Sequence, residues 1–134
     1  MKGVLVDTSV WIDFFNDIKI KEADILNDYI RKDYPVYLCD VILQETLQGF
    51  SREKDYRKVK DILLSFPFLK TISIDFAIGA ADLYRKLRKK GATIRKSNDC
   101  LIAYHSIYYM IPVLHRDRDF SLIEKHTKLK TINT

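Results

Sequence analysis

The sequence predicts an α/β fold, a three-layer α/β/α sandwich with a mainly parallel central sheet. Short apolar runs alternate with longer segments of helical periodicity, and residues typical of turns and helix caps separate them. Helical crossovers join parallel strands and place helices on both faces of a sheet. In such sheets ligands bind outside the carboxyl ends of the strands. We therefore expect the functional residues at those ends.

The predicted elements alternate along the whole chain. Strands are predicted from short apolar or alternating runs at 3–6, 35–39, 70–74, 112–115 and 129–132. Helices are predicted from apolar residues at helical spacing over 10–16, 20–34, 40–49, 52–66, 75–90 and 99–108. With no linker or repeat between them, these elements predict a single domain over residues 1–134.

Particular residues are predicted to begin or end several of the helices. Thr8 or Ser9 is expected to cap the first helix, and Asp40 the helix that carries Glu45. Gly91 ends the helix that opens at residue 75. The stripe predicted to be buried on that helix consists of Ala77, Ala81, Tyr84 and Leu87.

The composition is that of a folded protein with a sizeable core, since 47% of the 134 residues are hydrophobic and 31% are charged. An acidic residue comes too early for a signal peptide, and no apolar run approaches the roughly 20 residues that span a bilayer. We therefore expect a cytoplasmic protein without membrane contact. Cys39 and Cys100 lack metal-site spacing and are expected to be buried free thiols. The net charge of +5 favours polyanionic partners without showing one.

Four acids occupy positions expected at the functional edge of the sheet. Asp7 and Asp117 follow predicted strands, whereas Glu45 and Asp99 lie on helices that begin after a strand or a turn. Two carboxylates about 4 Å apart repel by roughly 4 kcal/mol at an effective dielectric constant of about 20. A hard dication with oxygen ligands offsets this repulsion, and Mg²⁺ or Mn²⁺ suits such a cluster. The four acids together therefore predict a metal site.

Each acid also has an ordinary structural interpretation. Asp7 can cap a helix, Glu45 can pair with a surface base, Asp99 can interact with a helix dipole, and Asp117 can shape a turn. Each of these explanations is reasonable for one residue alone. The expected convergence of all four residues on one sheet edge favours a site.

The sequence resembles the PIN-domain ribonucleases, in particular the VapC toxins of VapBC toxin-antitoxin modules. The resemblance covers nearly the whole chain and rests on the order of its motifs more than on any one of them. The motifs are VLVDTSVWID at 4–13, the Glu45 helix after 36–39, LYRKLR at 83–88 running to GATI at 91–94, NDCLIA at 98–103, and HRDRDF at 115–120.

The resemblance implies an endoribonuclease that leaves a 5′-phosphate and a 3′-hydroxyl, a cognate antitoxin as partner, and a homodimer. The family's metal-site acids fall on Asp7, Glu45, Asp99 and Asp117, with Thr8 or Ser9 as a supporting hydroxyl. We expect Asp7 and Asp99 to bind the metal directly, while Glu45 and Asp117 hold metal-bound waters or a second ion. Asp119 can share the role of Asp117 or cap a short helix from Phe120.

Basic and aromatic residues near the acids have two interpretations. Arg116 and Arg118 flank Asp117 and are the preferred candidates for binding RNA phosphates. The basic residues at 88–90, 95 and 96 can follow an RNA backbone, although the run at 88–90 is equally typical of a solvated helix end. The aromatic cluster of Trp11, Phe14 and Phe15 is more typical of a core than of a binding surface.

Three alternative functions remain open at this stage. A phosphatase with an aspartyl nucleophile would need Asp-x-Asp, but Ser9 occupies the second acidic position and no glycine-rich phosphate loop is present. A nonenzymatic RNA-binding or protein-binding domain has no evident reason to keep four repelling carboxylates together. A housekeeping PIN nuclease for RNA processing differs from a toxin mainly in context, and the short chain favours the toxin.

Overall fold

A parallel sheet of three strands lies at the centre of the computed structural model, which describes residues 3–132. Strand β1 (Val4–Val6) lies between β2 (Val36–Tyr37) and β3 (Val113–Leu114). Val4 pairs with Val36, and Leu5 with Val113. All three β1 side chains are fully buried, as expected of a parallel strand that is covered on both faces. The predicted mixed α/β fold with a parallel sheet is confirmed.

Seven helices surround the sheet within residues 3–132. Their bounds are α1 Thr8–Phe15, α2 Lys21–Arg31, α3 Asp40–Gln48, α4 Glu53–Leu63, α5 Ile74–Lys89, α6 Asn98–Tyr109 and α7 Arg118–His126. Each agrees with a helical stretch of the sequence, except that α7 was anticipated only as a short helix from Phe120. None of these helices is long and apolar enough to cross a membrane.

Two of the predicted strands are wrong. Residues 70–74 form no strand, because their alternating pattern has no buried face: Ile72 is 53% exposed and Ile74 is 77% exposed. The only sheet contact near this segment is a single parallel bridge from Phe68 to Leu38. Residues 129–132 likewise contribute one bridge, from Thr131 to Val113. The described sheet therefore has three strands instead of five.

The structure corrects the predicted caps of two helices. Asp7, not Thr8 or Ser9, caps α1, because its carboxylate accepts a hydrogen bond from the backbone amide of Ser9. Helix α3 already includes Asp40, and Cys39 stands at its N-cap position. The first acid of the candidate site is therefore held by the first turn of α1.

Helix α5 is rotated relative to the predicted stripe. Its buried residues are Phe76, Ala80 and Leu87, whereas Ala77 and Ala81 are exposed. Only Leu87 of the predicted set is fully buried, and Tyr84 is half-buried. The rotation lets α5 lie close to α6, where Gly79 leaves space for the ring of Tyr104. The helix ends as predicted before Gly91, whose φ of +81° suits glycine.

The core contains the aromatic cluster that begins at Trp11. This side chain is fully buried and stacks on Phe15 with a ring-centroid distance of 5.7 Å, while Phe66 lies 5.4 Å away. The prediction that the cluster belongs to the core is confirmed for Trp11. Both cysteines are buried free thiols, also as predicted.

Candidate active site

Asp7, Glu45 and Asp99 line one pocket at the carboxyl end of the sheet. Its volume is about 320 Å³, and its other lining residues are Thr8, Ser9, Ile12, Lys96 and Arg116. Asp7 directly follows β1, Glu45 lies in α3, and Asp99 is the second residue of α6. The predicted convergence of these three acids is therefore observed.

Asp117 belongs to a second group of acids that shares Asp99 with the first. Oxygens of Asp99, Asp117 and Asp119 all lie within 4.8 Å of one another, so this group could hold a metal ion. Asp117 follows β3 and caps α7, since its Oδ1 accepts a hydrogen bond of 3.0 Å from the backbone amide of Asp119. Asp119 does not cap the helix, and its carboxylate is buried. Asp99 connects the two groups.

Hydroxyl and amide donors fix the orientation of Asp7 and Glu45. Asp7 Oδ2 accepts hydrogen bonds from the amide of Ser9 at 3.1 Å and from its hydroxyl at 2.7 Å. Thr8 Oγ1 donates to Glu45 Oε1 at 2.8 Å, and Asn98 Nδ2 donates to Glu45 Oε2 at 3.3 Å. Thr8 and Ser9 therefore support the acids, and α6 contributes through its first residue, Asn98. Asn98 belongs to the motif at 98–103 and was a candidate helix cap, but its contact with Glu45 was not predicted.

Asp99 lies in an unfavourable environment for a carboxylate. It is 4% exposed, and no donor within residues 3–132 reaches its buried Oδ2. Burial, together with the nearby charges of Asp7 and Asp117, raises the pKa of Asp99 to about 7, although Lys96 opposes the rise. Burial also raises the pKa of Asp7, against the hydrogen bonds from Ser9. Both carboxylates would be stabilised by an additional cation.

The donor set fits a hard divalent cation. Within the described chain, Asp99 offers a buried oxygen without a hydrogen bond, and the neighbouring donors are carboxylate oxygens, which Mg²⁺ and Mn²⁺ prefer to sulfur or imidazole ligands. An uncompensated group of buried carboxylates is otherwise costly. The residues present could therefore hold a divalent metal ion.

Arg95 is the main counterion of the second acidic group. Its Nη2 donates to Asp117 Oδ1 at 3.1 Å, and its Nε lies 3.3 Å from both carboxylate oxygens of Asp119. The backbone amide of Arg95 also donates to Asp119 Oδ2 at 3.1 Å. Sequence analysis placed Arg95 in a basic run without finding these partners. Asp119 is thus held by Arg95.

Arg116 lines the pocket, and a buried acid holds its side chain. Both carboxylate oxygens of Asp13, in α1, accept hydrogen bonds from the Arg116 guanidinium, which remains 51% exposed. The backbone amide of Arg116 donates to Ser9 Oγ at 3.2 Å. Sequence analysis missed Asp13, although an acid within the predicted apolar helix 10–16 was a usable signal.

Arg118 lies farther from the first group of acids. Its side chain is exposed and lines a neighbouring pocket of about 400 Å³ together with Arg95 and Asp119. It forms no ion pair within the described chain. The basic run at 88–90 is exposed, and the Arg88 guanidinium lies 5.6 Å from the centroid of the Tyr84 ring.

Comparison with known proteins assigns the chain to a family. The sequence profile of the PIN domain matches residues 4–126, which include all the acids described above. The chain belongs to the PIN domain family. Its acidic pocket at the carboxyl end of the sheet is thus the candidate active site of a PIN domain.

This PIN domain is also similar to individual VapC ribonucleases. Ribonuclease VapC11 of Mycobacterium tuberculosis and a VapC ribonuclease of Mycobacterium bovis are each 31% identical to it over 129 residues, which is 95% of this chain and 96% of theirs. The chain therefore also belongs with the VapC ribonucleases. In the structure of VapBC2 from Rickettsia felis bound to a DNA fragment from its promoter, one chain superposes with a TM-score of 0.75 at 18% identity. The alignment covers 98% of both chains, so the fold is shared over nearly its whole length.

Proposed function

We propose that this PIN domain is the endoribonuclease toxin of a type II toxin-antitoxin pair and that it hydrolyses RNA with a divalent metal ion held by its carboxylates. The observation that carries the proposal is the buried Asp99 Oδ2, which lacks a donor within residues 3–132 and lies where two groups of carboxylates meet. The 31% identity to VapC ribonucleases over 95% of the chain supports RNA as the substrate. Mg²⁺ is the proposed ion, with Mn²⁺ as an effective substitute.

The four acids are assigned different roles in this proposal. Asp7 and Asp99 would bind the ion directly, because they follow β1 and open α6 on the same pocket. Glu45 would hold a water of the ion, since Thr8 and Asn98 already orient both of its oxygens. Asp117 would act in the same way from the side of α7. Within the described chain its Oδ1 accepts two hydrogen bonds and its Oδ2 accepts none, which leaves Oδ2 available for such a contact.

Phosphodiester hydrolysis requires a positioned water and neutralisation of charge on the phosphoryl and leaving oxygens, and a bound divalent ion supplies this chemistry. The chain's own hydroxyl groups orient the carboxylates that would hold the ion and its water. Ser9 fixes the Asp7 carboxylate, and Thr8 fixes that of Glu45, so neither must reorganise during the reaction. The proposed products carry a 5′-phosphate and a 3′-hydroxyl.

Two basic residues at the pocket are the proposed contacts for the RNA backbone. Lys96 and Arg116 line the same pocket as the acids, and Asp13 holds the half-exposed Arg116 guanidinium in place. Arg118 would contact a phosphate farther along, from the neighbouring pocket. Their charges offset the repulsion between RNA and the acids, so RNA affinity should fall with increasing salt concentration.

The proposal also includes a cognate antitoxin as a partner, a second copy of the chain in a homodimer, and a cytoplasmic location. Large exposed apolar side chains on α5 and at the end of α6 supply a surface for one of these protein partners, and they include Ile74, Ile78, Tyr108 and Met110. RNA as substrate and the absence of a membrane-spanning helix in the described chain both fit the cytoplasm.

The proposal is tested by incubating purified protein with structured and single-stranded RNAs in Mg²⁺, Mn²⁺ or EDTA. We expect cleavage in either metal, none in EDTA, and none from an Asp7→Asn variant. Asp82→Asn is the matched control, because Asp82 is an exposed acid on α5 outside the site. Cleavage that persists in EDTA, or that Asp7→Asn leaves intact, would contradict the proposed role of the metal site.

A further inference from the structure

Arg95 holds most of the oxygen atoms that Asp117 and Asp119 could offer to a metal ion. Both oxygens of Asp119 lie within hydrogen-bonding distance of Arg95 donors, and Asp117 Oδ1 accepts from Arg95 Nη2 and from the amide of Asp119. Of these four oxygens, only Asp117 Oδ2 has no donor within residues 3–132. With one free oxygen between them, these two acids have little capacity to ligate a second ion beside the first.

The neutralisation of Asp119 alone does not account for this arrangement. Asp119 is 2% exposed, and a buried carboxylate needs a counterion, which Arg95 supplies through Nε. The same guanidinium, however, extends its Nη2 to Asp117 and so bridges two acids of the candidate metal site. A planar guanidinium with several donors is suited to such bridging, whereas the ammonium group of lysine acts as a point charge.

A second ion between Asp117 and Asp119 would need oxygens that Arg95 already holds. Oxygens of Asp99, Asp117 and Asp119 come within 4.8 Å of one another, which is close enough to surround a cation. A dication between Asp117 and Asp119 would lie next to the positive guanidinium and would compete with it for the same oxygens. On the Asp99 side no such cation is bonded within the described chain, and Asp99 Oδ2 has no donor.

We propose that Arg95 occupies the second-cation position between Asp117 and Asp119, so that the active site takes one divalent ion instead of two. This inference rests on the proposed metal-dependent function and specifies its metal content. Arg95 acts here as a positioning residue, because it sets the orientation of the Asp117 carboxylate and the oxygen that stays available to the ion, without contacting the ion itself.

The inference is tested by counting bound Mn²⁺ per chain with equilibrium dialysis and electron paramagnetic resonance. We expect one ion in the wild type and two in Arg95→Gln, because the uncharged side chain frees the oxygens of Asp117 and Asp119. Two Mn²⁺ ions about 4 Å apart couple magnetically, so the six-line signal of bound Mn²⁺ should collapse in Arg95→Gln only. Arg95→Lys, which keeps the charge, should bind one ion.

Arg118→Gln is the matched control, since it removes the same charge from an exposed neighbour that forms no ion pair in the described structure. It should bind one ion. Thermal melting of each variant checks folding, and two ions in the wild type would overturn the inference even if Arg95→Gln is unfolded. Two ions in the wild type, or a single ion in folded Arg95→Gln, would overturn the inference. No bound ion in the wild type would instead overturn the proposed metal site itself, and this inference with it.

Discussion

Replacing Asp99 with asparagine should stabilise the metal-free protein while it abolishes metal binding. Asp99 is buried, its Oδ2 has no donor in the described chain, and Asp7 and Asp117 add repulsion. The uncharged amide of asparagine has a similar shape and no charge to desolvate. The carboxylate most useful for holding a cation is therefore expected to destabilise the fold when no cation is bound.

The magnitude follows from the pKa of Asp99. Burial raises this pKa from 3.8 to about 7, and each pH unit corresponds to about 1.36 kcal/mol, so the upper limit is about 4 kcal/mol above pH 7. Water in the open pocket and small movements of the acids reduce the effect. We expect Asp99→Asn to gain about 2 kcal/mol in EDTA, which raises Tm by about 6 °C in a domain of this size.

The pH dependence of the gain has a definite sign. Folded Asp99 keeps its proton to a higher pH than the unfolded chain does, so the contribution of Asp99 to wild-type stability falls as the pH rises from about 4 to about 7. Asp99→Asn lacks this loss. The difference in stability between the variant and the wild type should therefore be small near pH 4, grow until about pH 7, and remain constant above it.

Thermal and urea denaturation in EDTA between pH 4 and pH 8 measure this difference. Asp82→Asn is the control, because Asp82 is exposed on α5, and its stability should stay within about 0.5 kcal/mol of the wild type. If Asp99→Asn were no more stable than the wild type at pH 8, or if its gain were the same at pH 4, the electrostatic account of the site would be refuted.

Three further predictions concern the packing and ion pairs around the site. Gly79→Ala should lower the free energy of unfolding by about 1–3 kcal/mol in urea titrations, because the alanine methyl group would overlap the Tyr104 ring. Stabilisation, which this substitution produces in a solvent-exposed helix, would contradict the α5–α6 packing. Arg116→Gln should cost about 1–3 kcal/mol in the same assay by leaving the Asp13 carboxylate without its guanidinium, whereas Arg118→Gln should be nearly neutral. Burial lowers the pKa of His105 below 6.5, so the stability that the neutral His105 side chain contributes is complete above about pH 6.5 and is lost as the pH falls. Because His105→Gln lacks this titration, it should lose less stability than the wild type between pH 7 and pH 5, and parallel losses would contradict this.

The sequence was sufficient to predict the fold and the site where the local pattern and the tertiary structure agree. The apolar run before Asp7 could form only a buried strand, and the polar turn after it marked the carboxyl end of the sheet. The same reasoning placed Asp7, Glu45 and Asp99 on one pocket before any contact was known. Parallel strand ends meet at one edge of the sheet, which accounts for the position of Asp7, whereas α3 and α6 carry Glu45 and Asp99 to that edge.

The sequence was insufficient where the outcome depends on partners distant along the chain. Alternation at 70–74 suggested a strand, but Thr71 bonds with Asp40 and His105 instead of pairing in the sheet. The bridge from Arg95 to Asp117 and Asp119 spans more than 20 residues, and no local pattern specifies it. The sequence contains many acids with which Arg95 could pair, and only the folded structure determines which of them it contacts.

The central claim is that these carboxylates hold a divalent ion, and a crystal structure of the protein soaked with Mn²⁺ tests it most directly. We expect one anomalous scattering peak at about 2.0–2.3 Å from oxygens of both Asp7 and Asp99. Glu45 and Asp117 should contact that ion through ordered waters. A fully occupied peak elsewhere on the protein, or no peak at saturating Mn²⁺ with the pocket open to solvent, would contradict the account.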